Sequence, residues 1–62
     1  MNKYRFGISY FDGQAWKFRT RISEVEAMEE ASIQASSGNQ YELFTLFSEN
    51  GTVERRVVFK HD

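Results

Sequence analysis

Apolar and polar side chains alternate at every second position through two stretches of this chain. In the first, Tyr4, Phe6, Ile8 and Tyr10 alternate with Lys3, Arg5, Gly7 and Ser9. After Asp12-Gly13 the rhythm resumes, with Trp16, Phe18, Thr20 and Ile22 set against Lys17, Arg19 and Arg21. The second stretch repeats the pattern. Tyr41, Leu43, Thr45 and Phe47 alternate with Glu42, Phe44, Leu46 and Ser48. Past Asn50-Gly51, Val53, Arg55, Val57 and Phe59 alternate with Glu54, Arg56, Val58 and Lys60. A period of two marks a strand with one buried face, because successive side chains point to opposite sides. Each stretch therefore predicts a hairpin, with strands over about 3–11, 15–22, 40–48 and 52–60.

Register decides which side chains meet, since directly opposed residues share a face. A two-residue Asp12-Gly13 turn would set Ile8 against Lys17. A three-residue loop, Phe11-Asp12-Gly13, sets Ile8 against Trp16 and Phe6 against Phe18, with Gly13 left-handed in a bulged hairpin. The same reasoning favours a Glu49-Asn50-Gly51 loop, which opposes Phe47 to Val53, Leu43 to Val57 and Tyr41 to Phe59. A tight Asn50-Gly51 turn would instead oppose Phe47 to Glu54.

Between the hairpins the alternation stops and helix formers take over, predicting a helix over about 24–37. Ser23 and Glu26 have the S-x-x-E spacing of a capping box, and early glutamates suit the positive end of the helix dipole. Gly38 is a natural stop. Val25, Met28, Ala31, Ser32 and Ala35 share one side of the wheel, and Ile33 projects on the other.

These elements give an α+β fold, a single ββαββ domain over residues 1–62. It is a four-stranded antiparallel sheet with one helix packed on one face, the strand order left open. The expected core is Tyr4, Phe6, Ile8, Trp16, Phe18, Ile22, Leu43, Phe47, Val57 and Phe59, meeting Val25, Met28 and Ala35. One helix covers one face. The other should carry Lys3, Arg5, Lys17, Arg19, Arg21, Glu42, Phe44, Leu46, Glu54, Arg56, Val58 and Lys60.

Composition narrows the chemistry. With 62 residues and no cysteine, stability must come from apolar burial, and aromatics at 16% of the chain supply the bulk. No apolar run reaches the roughly 18 residues of a membrane span, and the first residues lack a secretory apolar block, so a cytoplasmic setting is expected. Net charge is −1. Four of the nine acidic residues fall within 23–37, where no Lys or Arg occurs, leaving eight basic against five acidic residues elsewhere. Helix and sheet thus carry opposite signs, which can steer binding.

Nothing in the chain assembles a catalyst. His61 is the sole histidine, and without cysteine neither a nucleophile–base pair nor a soft metal site can be built. Glu26 and Glu30, one turn apart, read as a solvated helix face. No glycine-rich loop leads into a helix. The expectation is therefore no enzyme, no metal, no cofactor and no small-molecule substrate.

What remains is binding. Phe44, Leu46 and Val58 form an apolar group on the uncovered face, beside Arg5, Arg19, Arg21 and Arg56. Burying three such side chains contributes roughly 1.5–3 kcal/mol each, against an association cost on the order of 4–15 kcal/mol. The patch needs help from edge-strand pairing or from the arginines. A small adaptor or inhibitor acting by protein contact, with another protein or with its own copy as a homodimer, is the first reading. Its scale is that of small accessory proteins of bacteria and their phages. The alternative is nucleic-acid binding on the basic face, with bases on Phe44 and phosphates on arginine.

Overall fold

In the computed structural model, which describes residues 3–62, the elements run β1 (Lys3–Phe11), β2 (Trp16–Ile22), α1 (Glu24–Ser36), β3 (Tyr41–Glu49) and β4 (Thr52–His61). Lys3 and Tyr4 are described through their backbone, so the expected core role of Tyr4 and open-face role of Lys3 lie outside the described side chains. The strands form one antiparallel sheet in the order β2-β1-β3-β4. The chain leaves β2 at one edge, crosses through α1, and returns as β3 beside β1.

Ser23 caps α1 as its spacing predicts, in extended geometry (φ −74°, ψ 161°), its Oγ accepting from Glu26 N–H at 3.1 Å. Glu26 does not send its carboxylate back to Ser23; it takes Arg19 Nη2 of β2 at 3.1 Å. At the other end Gly38 is left-handed (φ 75°). Asn39 N–H donates to Gln34 O at 2.9 Å and Gly38 N–H to Ala35 O at 3.0 Å. These two bonds close a Schellman motif.

The register differs from expectation at both turns. In the first hairpin Phe11 opposes Trp16, so the loop has four residues. Asp12 organises it by accepting from Gln14 and Ala15 N–H, both at 2.9 Å. An even-numbered loop puts Trp16 and Phe18 on the face away from the helix and Lys17 and Arg19 toward it. Arg19 opposes Ile8, Phe18 opposes Ser9, and Lys17 opposes Tyr10. A bulge at Arg21, left-handed at φ 60°, then restores the alternation, and Ile22 opposes Phe6 on the helix side.

The second hairpin repeats the device. Asn50 (φ 51°) and Gly51 (φ 78°) form the tight turn, and Phe47 opposes Glu54. Two consecutive left-handed residues match the twist of the strands, which outweighs the side-chain mismatch. A bulge at Val58 then brings Phe59 opposite Leu43 and His61 opposite Tyr41, while Val57 opposes Phe44 on the other face.

The helix rests on β1 and β3 alone among the strands with substantial contact. It buries Ala27, Ala31 and Gln34 rather than Val25 and Met28, which are exposed. Alanines let the helix come close to the sheet. The core is accordingly small: Ile8, Tyr41 and Leu43 with Ala27 and Ala31, flanked by Phe6, Tyr10 and Ile22. Of the other expected core residues, Trp16, Phe18, Val57 and Phe59 are exposed, Phe47 is half-buried and Ala35 is exposed.

Candidate functional site

The face away from the helix is not the arginine-rich surface around an exposed Phe44 that the alternation predicts. Phe44 is 2% exposed although no helix covers it. It opposes Gly7 on β1 and Val57 on β4, and the Arg55 guanidinium lies over its ring at 4.2 Å from the centroid. Arg55 is held there by Glu42, Nη2 to Oε1 at 3.4 Å, and Glu42 also faces Lys60 Nζ at 3.8 Å. The ring is thus boxed in by the chain itself and cannot serve as a contact residue.

The remaining sequence-derived site residues separate. Arg5 and Leu46 are opposed neighbours on the open face. With Arg21, Thr20, Ser48 and Val53 they line a depression of about 490 Å³. Arg19 belongs to the helix side, bound to Glu26 at 3.1 Å and near Glu30 at 3.8 Å. Arg56 opposes buried Thr45, also on the helix side, and pairs with Glu54 at 3.4 Å. Val58 stands at its bulge and lines a groove beside the helix. The predicted arginine cluster therefore reduces to Arg5 and Arg21. Lys17 is likewise engaged, 3.0 Å from Asp12. Hydrogen bonds from Ala15 and Gln14 N–H, then from Lys17, hold Asp12 down to about 2, and the same pairing raises Lys17.

Two apolar surfaces that the alternation hides come into view. On the open face Trp16 stacks at a tilt on Phe11, centroids 5.6 Å apart, and Phe18 is 66% exposed. On the helix side, the helix stops short of β4 and leaves an apolar groove of about 460 Å³. Phe6, Tyr41 and Leu43 form its floor, Ala27, Met28 and Ala31 one wall, and Val58 and Phe59 the other. Met28 is 57% exposed and Phe59 49%. Tyr41 braces the wall, 5.9 Å from Phe59 and stacked on His61 at 5.1 Å. The signal for this groove was present in Val58-Phe59, two adjacent apolar residues that a bulge can turn to one side.

Beyond the groove runs β4, an edge strand whose ten residues are all exposed. Among the described residues no three His, Asp or Glu side chains converge to hold a metal ion, and no helix is long and apolar enough to cross a membrane. No family model, curated protein or solved structure matches the chain.

Proposed function

We propose that this chain is a non-enzymatic binding module that works by protein contact, taking an extended polypeptide segment along β4. One observation carries the reading: a ten-residue edge strand, exposed throughout, borders an open apolar groove. An unpaired edge offers backbone N–H and C=O groups to an added strand, and pockets beside it select side chains. Met28, Val58 and Phe59 line the groove beside that segment and would themselves be covered by it. Burying one contributes roughly 1.5–3 kcal/mol, and the backbone ladder supplies what the apolar patch alone lacks.

The nucleic-acid reading has less support. Lys17, Arg19, Arg55, Arg56 and Lys60 each lie within 4 Å of a carboxylate, which removes the fixed positive stripe that phosphates need. Trp16 and Phe18 offer rings for bases, but their sequence neighbours Lys17 and Arg19 point to the opposite face, where they are tied to Asp12, Glu26 and Glu30.

Affinity capture with the wild type, Met28→Glu and Phe59→Glu in parallel tests the contact. A protein held by the wild type, lost by both variants, and bound again when purified is the expected result. Identical capture by all three, with the fold intact by circular dichroism, overturns the groove and edge as the contact site.

A further inference from the structure

We infer that the segment taken along β4 is β4 of a second copy, paired antiparallel about a two-fold axis at Arg55. This rests on the protein-contact reading and names its partner. The tight Asn50-Gly51 turn makes Glu49 and Thr52 a hydrogen-bonded pair, and bonded and non-bonded pairs alternate from there. Glu54 and Arg56 therefore spend their backbone groups on β3. Val53, Arg55 and Val57 direct theirs outward, to the free edge.

Two copies can share those groups only in registers that oppose outward residues to outward residues. Centring on Glu54 would set Glu54 against itself, and centring on Arg56 would set Arg56 against itself. Centring on Arg55 opposes Val53 to Val57 twice on the open face and Glu54 to Arg56 twice on the helix side. Val53 and Val57 are among the exposed large apolar residues that the monomer leaves bare. The one like pair, Arg55 with Arg55, is softened, because each guanidinium already lies over Phe44 and against Glu42.

The opposite edge offers no such match. On β2, centring on Phe18 opposes Lys17 to Arg19, and centring on Arg19 opposes Arg19 to itself and Lys17 to Arg21. Every register centred within residues 17–21 sets basic residues against basic residues. Strand β2 is also shorter, seven residues against ten, and is broken by the left-handed Arg21 one residue before its end. Self-association is thus written into one edge and excluded from the other.

Sedimentation equilibrium of the purified chain, from the micromolar to the millimolar range, tests the inference. The expected average mass rises from 7.3 kDa to twice that value. Glu54→Arg and Arg56→Glu, each alone, should weaken association about tenfold, since two attractive cross-strand pairs become repulsive. The double variant should recover wild-type association, because the pairs are restored with their signs exchanged. Both positions are exposed, and circular dichroism of each variant checks that it folds. A mass fixed at 7.3 kDa throughout overturns the second copy as partner, leaving the capture experiment with Met28→Glu and Phe59→Glu to decide the contact reading separately. A dimer that the single variants do not weaken, or that the double variant fails to restore, overturns the register.

Discussion

Gly7 and Phe44 are directly opposed on the two central strands, and the Phe44 ring lies across the space a side chain on Gly7 would fill. A β-carbon there would meet Phe44 Cε2 and Cζ closer than real β-carbons approach, with Arg19 O at 3.1 Å behind it. With Arg55 on its outer side, the ring has no free direction of retreat. Gly7→Ala should cost about 1–3 kcal/mol, as overpacking does. Adding Phe44→Leu to Gly7→Ala should return part of that loss. Urea titration of the four members of the cycle checks it, and strict additivity would refute the coupling.

Phe44 itself is a stability residue. Phe44→Ala should remove about 3–5 kcal/mol from a total that, at this length, is roughly 3–9 kcal/mol. Phe44→Glu should leave the chain unfolded at room temperature by circular dichroism, because a buried carboxylate would sit against Gly7 and Val57. A folded Phe44→Glu would mean that the ring is not enclosed.

Arg21 carries strain that its neighbours do not. Its φ of 60° is tolerated by glycine and opposed by β-branched residues. Arg21→Gly should therefore match or exceed wild-type stability, whereas Arg21→Val should lose about 1–3 kcal/mol. Thermal melts of the pair separate backbone cause from charge, since both variants remove the guanidinium. Equal melting temperatures would contradict the strain.

The acid limb of stability should report Asp12. Its folded value of about 2 lies below the ordinary 3.8, so the charged form favours folding. That contribution is complete above pH 3.8 and drains away as pH falls toward 2. Asp12→Asn should flatten the stability profile through this window and leave its shape at neutral pH unchanged. An unaltered acid profile would show that the loop does not need the carboxylate.

Element order was legible because periodicity and caps are local. The Ser23 cap, the Gly38 stop and the two alternating stretches each speak through a few adjacent residues. Faces were not legible, because they depend on loop parity and on bulges. Trp16 and Phe18 were expected beneath the helix on the premise that aromatics choose the buried side. Asp12 instead closes a four-residue loop with its own side chain, and the parity of that loop turns both rings outward. At Asn50-Gly51 the backbone preference of the turn overrides the opposition of Phe47 to Glu54, and Val58 absorbs the error one strand-length later. The size of the helix footprint was hidden for another reason. Val25 and Met28 are more apolar than Ala27 and Ala31, yet only the alanines allow the close approach that seats α1 over β1 and β3.

That narrow seat has a consequence for how the molecule breathes. Ile8 and Leu43, opposed at the centre under α1, should hold the slowest-exchanging amides in heavy water, while the outward-facing amides of β2 and, in the lone chain, those of β4 exchange first. The rim can therefore open and close, and trade one neighbouring chain for another, while the middle stays shut.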